Sequence, residues 1–501
     1  MLGGLFPVLQ VPFAVDAYVL PRVFLLLAGG AVGLLLAGDR QGSALAPLRR
    51  PAVAVAIAAL LAAAFSVSPW ASLAGQYLRY ESATVRLGYL ILFGASARLL
   101  TGAEEPDRRR VVSCFLLGCG LASAEAAWEW FAFRYALPGG LGRPDGNLGN
   151  AALLGAIDAM AVPLLLGRLL SRGWRWTPVL ILVLAGLAAS TSRAAWLAAL
   201  LSGVVVAVLR MPRRLLPWTA AAGGLLLLAA VVLAVAPLGG LNSDPYSLRP
   251  QLWARVLPMI FARPVLGWGE DTMGLVFGGY SNGFLPGLTF DRAHSQLLDL
   301  AVAQGLVGVA ASAWFWGAFA WGILPGGRWR AEECAAILAA LLAYTAWAAV
   351  NFDWVPATAP AWLLAGVCWA SARRSTSARQ RVGRTARLAR IGGGIAGSAA
   401  AVAFGVLPIV ADVAYHAGEP AAAVRLDPLQ ARYHRALGER LVATGQIMAG
   451  AAELRRAGEL GEDTARTWVQ LGDAERVLGH QAAARAAYAR ARAIDPSIST
   501  P

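Results

Sequence analysis

The sequence predicts an all-α, polytopic membrane protein with a small α-helical repeat domain at its C-terminal end. Composition is the first reason. Of 501 residues, 58% are hydrophobic and 14% charged, with a mean hydropathy of +0.57, whereas a soluble domain carries roughly 25% charged residues. A soluble fold of this size cannot hide so much apolar surface, so part of its solvent is lipid. The second reason is the number of apolar runs long enough to cross about 30 Å of hydrocarbon. The third is the alternating charge of the loops between them.

About twelve spans are expected, near 20–38, 51–68, 83–100, 110–132, 150–167, 176–191, 193–209, 216–237, 294–322, 332–350, 355–372 and 391–411. Residues 5–19 are apolar but interrupted by Pro7, Pro12 and Asp16, so a partial or re-entrant span is the reading there. The first twenty residues lack a basic n-region and the apolar character continues past them, so no cleavable signal peptide is expected. Arg40, Arg49 and Arg50 fall on one side with Arg108–Arg110, with Arg168, Arg172 and Arg175, and with Arg210, Arg213 and Arg214. Arg328, Arg330 and the dense run from Arg373 to Arg390 continue the pattern. The positive-inside rule makes these loops cytoplasmic. The external set is then 69–82, 133–149, the turn near Ser192, the long segment 238–293, the NFDW turn at 351–354, and everything after about 412.

The net charge of +14 comes from 43 basic against 29 acidic residues, and every basic residue is arginine. Most arginines sit in short loops between spans, where they set orientation, so nucleic acid is not an expected partner. A guanidinium is also a planar fork suited to two-point contact with phosphate. Cys114, Cys119, Cys334 and Cys368 lie in or beside spans without metal-ligand spacing and read as packing residues.

The division expected is a membrane domain over 1–411, including the external loop 238–293, and a repeat domain over 412–501. In the tail, Trp468, Leu471, Gly472, Ala484, Tyr488, Ala491 and Pro496 fit the tetratricopeptide pattern. One repeat earlier, His434, Leu437, Gly438, Gly450, Leu454 and Ala457 give the same scaffold, and Pro428 ends a degenerate unit before it. So short an array is expected to pack on the membrane domain or hold a protein partner.

Chemistry is sought on the external side. Long loops inside compact folds are usually functional or disordered, and the aromatics Trp253, Trp268, Tyr280 and Phe284 argue against disorder here. The loop closes in Asp291-Arg292-Ala293-His294 at the mouth of the next span. His294 precedes every other histidine, all of which lie in the tail, and its position suits a general base. Taken alone it is more often a histidine satisfied at a helix start. Arg193 begins a span after a very short turn, Arg249 and Arg255 flank Trp253, and Arg79, Arg143 and Arg292 stand near other external span ends. Together they make a candidate anion cradle, while snorkelling to the interface is the bland alternative. Glu125 and Glu129, one turn apart, and Asp158 within a span read as structural partners of arginine. No DxD-like pair lies outside and no GxxxxGK loop occurs, so neither a metal-bound nucleotide sugar nor ATP is implied; no cofactor and no metal are expected.

Several segments together resemble the O-antigen ligase and polymerase superfamily. RPDGNLGNAALLGA is similar to its RPxGTFGNPNxLAG segment, and TSRAAWLAAL to its SRGAWL element. RPQLWARVLPMIFARPVLGWGEDTMG resembles its periplasmic-loop stretch, RAHSQLLDLAVAQGLVG its AHNxYLxxLxExGLxG closure, and SPWASLAGQYLRYES an early SLxGxYxRxxG element. The resemblance runs over roughly 65–310, in order. Ser295 stands where the family has Asn, and Asn147-Leu148 and Ala151-Ala152 replace Thr-Phe and Pro-Asn.

The resemblance implies a GT-C-like fold in the bacterial inner membrane with the tail periplasmic. It implies metal-independent, inverting transfer of a glycan from an undecaprenyl-diphosphate carrier to lipid A core, another glycan or a protein. Arg193 and Arg249 would bind the diphosphate by matching motif, with Arg79, Arg143 and Arg292 beside them, and His294 would activate the acceptor or support the leaving group. Trp253, Trp268 and Tyr280 would stack on sugar rings. The rivals are a lipid-linked oligosaccharide flippase, which needs arginines along a path through the bilayer, and a non-catalytic assembly scaffold, for which the elaborated loop would be superfluous.

Overall fold

The computed structural model describes residues 1–37, 45–135, 143–210, 224, 248–284, 290–325, 332–372, 384–462, 464–495 and 498–499, which form helices and turns with no strand among them. In the membrane domain the helices are α1 (Leu2–Val8), α2 (Val19–Leu36), α3 (Ala46–Ala64), α4 (Pro69–Ala74), α5 (Ala83–Leu100), α6 (Glu105–Tyr135), α7 (Ala151–Arg172), α8 (Thr177–Ala189) and α9 (Arg193–Arg210). After the loop segment α10 (Arg249–Ala262) come α11 (Gln296–Ile323), α12 (Glu332–Ala348), α13 (Val355–Ala372) and α14 (Arg384–Ala401). A π-helical turn at Val402–Val406 joins α14 to α15 (Leu407–His416).

Among the described residues, eight helical stretches are long and apolar enough to cross a membrane, and α8, α9 and α12 are shorter apolar helices. Apart from Gly224, the expected span at 216–237 lies outside the described residues, as do Arg40, Arg213, Arg214, Arg328, Arg330 and the arginines from Arg373 to Arg381. Each other expected span coincides with a helix. Residues 5–19 give a partial element: α1 has seven residues, and the chain then turns before α2. Central helices bury every face while peripheral ones keep an apolar face toward lipid. Accordingly Trp347, Trp369, Phe115, Phe315 and Leu154 are fully buried, whereas Leu121, Trp314 and Trp321 are exposed. The four cysteines are thiols, with Cys334 and Cys368 sulfurs 3.2 Å apart across α12 and α13.

The loop pairings sort into two faces. On one, Arg168 donates to the Arg109 carbonyl and to Glu333, and Arg390 donates to the Leu34 and Leu35 carbonyls. On the other, Gln76 bonds to Asp271, Arg79 to Asp291 and Trp354, and Arg143 to Ser190. This division is the one that charge alternation assigns.

Beyond α15 follow α16 (Pro420–Leu426), α17 (Ala431–Ala443), α18 (Ile447–Leu460), α19 (Ala465–Val477) and α20 (Gln481–Ile494). They form helical hairpins with a common internal register. A Cβ on Gly438 would lie 2.8 Å from Leu454 Cγ, and one on Gly472 would lie 2.4 Å from Tyr488 Cε1. Both glycines, 34 residues apart, let a large residue of the next helix close in. The hairpins rest on the loop face. Asp412 accepts from the Asp16 N–H at 2.7 Å, the Tyr77 hydroxyl at 2.6 Å and the Tyr433 hydroxyl at 3.0 Å, fastening three distant segments.

Helix α11 is broken at Gly305, whose φ is +61°. Segment 264–269 enters the break: Leu306 and Val307 N–H groups donate to the Pro264 and Val265 carbonyls, while Trp268 and Gly269 donate to Val302 and Ala303. A Cβ on Gly305 would lie 2.4 Å from the Val265 oxygen, so only glycine admits the loop. The freed backbone groups are thereby re-satisfied. At 1.5 Å per residue the part after the break covers about 27 Å, enough for the hydrocarbon. Gln296–Gln304 therefore belongs to the loop layer, carrying His294 at its start.

Candidate active site on the loop face

Three arginines hold this face together through carboxylates. Arg79 pairs with Asp291. Arg292 reaches Asp271 at 3.4 Å, and Asp271 also accepts from the Gln76 N–H at 2.7 Å. Arg86, near the start of α5, donates to Asp353 at 2.6 Å and lies 3.4 Å from Glu270. Asp353 further accepts from Gln296 at 2.7 Å and Tyr344 at 2.6 Å, and Glu270 takes Gln304. Glu81 is fully buried and accepts the Tyr89 hydroxyl at 2.8 Å. Burial pushes its carboxyl up to about 7, against the pull of Arg86 and Arg292. Burial works against the Arg292 charge, yet Asp271 and Glu81 hold its guanidinium above the ordinary value.

His294 stands in the middle of these contacts. Its ring packs edge-on to Phe352 at 5.1 Å, and the Arg292 guanidinium lies 5.7 Å from the same ring. The neighbouring Ala293 is held from both sides: its N–H donates to Asp299 at 2.6 Å and its carbonyl accepts the Trp253 indole at 2.8 Å. Arg249 lies one turn before Trp253 on α10, on the same face, and is buried. A second group forms at the α8–α9 turn. Arg143 donates to the Ser190 carbonyl at 2.8 Å and the Thr191 hydroxyl at 2.9 Å, and the buried Arg193 starts α9 two residues on.

Backbone strain is concentrated here. The non-glycine residues with positive φ among the described residues are Leu78, Tyr80, Asn147, Thr191, Asp271, Asn282 and His294, all on this face. Asn, Asp and His tolerate that conformation, but Leu78, Tyr80 and β-branched Thr191 do not adopt it without cost. Such strain persists where the surroundings over-determine it, and it clusters at functional sites.

The remaining candidates have packing contacts. The Trp268 indole donates to the Met259 carbonyl at 2.9 Å, its ring carries Arg263 at 4.5 Å, and Tyr280 meets it edge-on at 5.9 Å, all around the loop's own apolar cluster. The acidic residues differ from the sequence reading. Glu125 takes the Asn147 amide, Glu129 takes the Asp145 and Gly146 N–H groups at 2.9 and 3.1 Å, and Asp158 takes the Ser123 hydroxyl at 2.9 Å. The 145–147 turn offers amide donors directly above α6, so these carboxylates serve as caps and clamps and not as arginine partners.

Residues 178–313 match the family model described as O-antigen ligase. That O-antigen ligase segment is about a quarter of the chain. It contains Arg193, Arg249, Arg292 and His294, and takes in TSRAAWLAAL, RPQLWARVLPMIFARPVLGWGEDTMG and RAHSQLLDLAVAQGLVG but not RPDGNLGN or SPWASLAGQYLRYES. The O-antigen ligase family suggests a glycosyltransferase-type enzyme acting in lipopolysaccharide assembly, with a lipid-linked glycan donor and an acceptor. With its apolar helices, the chain is a multi-pass membrane protein. No curated protein matches the sequence.

Arg86, Glu81, Glu270, Asp271 and Asp353 went unremarked in the sequence reading as site residues. A signal existed for two of them. Arg86 is a charge inside an apolar run, and Asp353 is the one charge in a short turn between two spans.

Proposed function

We propose that this chain transfers a glycan from an undecaprenyl-diphosphate carrier to an acceptor hydroxyl, with inversion and without a metal, at the periplasmic side of the bacterial inner membrane. The observation that carries the reading is the confinement of strained backbone to one face, at Leu78 and Tyr80 on either side of Arg79 and at Thr191 beside Arg193, with His294 also at positive φ. The O-antigen ligase match over the segment holding Arg193, Arg249 and His294 supports it.

In this mechanism the acceptor oxygen attacks the anomeric carbon as the bond to the diphosphate oxygen breaks. His294 takes the hydroxyl proton. The departing lipid diphosphate carries the bonding pair, and Arg193 and Arg249 neutralise it with bidentate contacts that strengthen as charge develops. Arg79 and Arg292, each joined to a carboxylate, fix the loops around His294, and Arg143 fixes the turn before Arg193. Among the described residues the candidate arginines stand at helix ends and in loops of one face, which supports transfer over flipping. The test is purified protein with lipid-linked glycan and candidate acceptors in EDTA. Transfer by the parent and none by His294→Ala is the expected result; normal turnover by His294→Ala removes the histidine from the mechanism.

A further inference from the structure

Between the helical hairpins and the loop face lies a cleft of about 550 Å³, lined by Val15, Tyr77, Leu78, Tyr415, His416, Arg432 and Glu462. This volume is within the range of small-molecule sites, about 300–1,000 Å³. Its walls are fixed before any ligand arrives. Asp412 ties Asp16, Tyr77 and Tyr433 together, and the Tyr77 ring meets Tyr415 and Tyr433 edge-on at 6.1 and 5.7 Å. The α18–α19 turn, which carries Glu462, closes one side: a Cβ on Gly461 would lie 3.5 Å from Leu275 in the loop after α10.

The lining has a mixed chemistry. Tyr77, Tyr415, Leu78 and Val15 offer ring and aliphatic surface, while Arg432 and Glu462 face each other at 3.3 Å. A free phosphate would have to displace Glu462 from Arg432, and an acyl chain would have to desolvate both charges. A neutral pyranose satisfies both halves at once, with its C–H face on tyrosine and its hydroxyls on the carboxylate and guanidinium.

The cleft is one residue from the site. Leu78, held at φ +68°, lines the cleft, and Arg79 pairs with Asp291 on the other side of the same loop. Consecutive Cα atoms are 3.8 Å apart, so the cleft adjoins the loop whose next residue pairs with Asp291, three positions before His294 in the chain. We infer that this cleft is the acceptor subsite and that the acceptor is a neutral glycan. The inference rests on the transferase reading above.

The probe is a neutral hexose oligosaccharide free of acidic sugars and phosphate, titrated calorimetrically into the full-length protein. Arg432→Gln removes the guanidinium, and Val15→Trp fills the cleft from a half-exposed position that makes no hydrogen bond with its side chain. Each is expected to weaken binding about tenfold and to raise the acceptor KM by the same factor, with donor KM unmoved. Arg485→Ala, on an exposed face of α20, is the control expected to change neither. Failure of the parent to bind the oligosaccharide, or parent-like binding by both variants, overturns the inference whether or not transfer is observed. A raised donor KM with an unmoved acceptor KM assigns the cleft to the donor glycan and also overturns it. Absence of transfer by a parent that binds normally counts against the transferase reading instead.

Discussion

Replacing Asp353 by alanine removes an acceptor shared by three donors, the buried Tyr344 and the partly buried Arg86 and Gln296. Arg86 loses its contact at 2.6 Å and keeps only Glu270 at 3.4 Å. Gln296 loses its one carboxylate acceptor, while Tyr344 retains Thr358 at 2.8 Å. Removing one partner of a buried ion pair costs about 3–5 kcal/mol, and these losses share a network, so they do not simply add. A total near 4 kcal/mol is the central expectation. Asp353→Asn keeps the shape and one acceptor oxygen and removes the charge, which places it near 2 kcal/mol. The assay is thermal unfolding in detergent, followed by a thiol-reactive fluorophore that reaches the buried Cys119, Cys334 and Cys368 only on unfolding. The expected order of stability is parent, then Asn, then Ala. Transfer should fall further than stability alone explains, because Gln296 is two residues from His294 and Phe352 carries its ring. An Asp353→Ala protein that unfolds within about 0.5 kcal/mol of the parent would refute the claim that this carboxylate organises the face.

Arg193→Lys and Arg249→Lys are each expected to lose most transfer despite retained charge, since an ammonium cannot reproduce the planar fork; lipid-diphosphate binding equal to the parent would make both residues structural. Glu81 is expected to make stability fall with pH: its folded pKa of about 7 lies above the unfolded value of 4.5, so its contribution is whole below 4.5 and lost as pH rises through 7. Glu81→Gln should therefore match the parent at pH 4 and exceed it at pH 8 by on the order of 3 kcal/mol, checked by paired melts at the two pH values. For orientation, Met448→Cys on α18 should react with an impermeant maleimide in intact spheroplasts, and Trp174→Cys on the arginine face only after lysis; both sites are exposed, at 74% and 80%. The reverse pattern would turn the protein over in the membrane.

The membrane-domain architecture was legible because its signals are local. Each span announces itself by an apolar run, and the arginine loops sort the connections to faces without any tertiary information. His294 and the arginines were legible as candidates for a similar reason, being charges at span ends. What composition cannot convey is who neutralises whom. Arg79 and Arg292 read as free phosphate ligands, yet the fold brings Asp291 and Asp271 to them. The break in α11 was equally hidden. Gly305 is one of many glycines, and only the arrival of Pro264 and Val265 at its backbone explains it.

Two carboxylates divide the work of assembling this face, and their positions explain how the repeat hairpins and the site are joined. Asp353 gathers donors from α5, α11 and α12 beside Phe352, which meets the His294 ring. Asp412 gathers the segment before α2, the loop before α5 and the first repeat helix above it. The loop 75–82 belongs to both sets, through Tyr77 on one side and Arg79 on the other, with the Arg79 carbonyl accepting the Trp354 indole at 2.9 Å. A displacement of the repeat hairpins must therefore pull on Tyr77, and with it on the strained backbone at Leu78 and Tyr80. Such strain is sustained only while both anchors hold. The loop is thus a mechanical link between whatever occupies the cleft under the repeats and the arginine–carboxylate pairs around His294. That link gives the tail a reason to be covalently part of a chain whose membrane domain already carries every candidate for the chemistry.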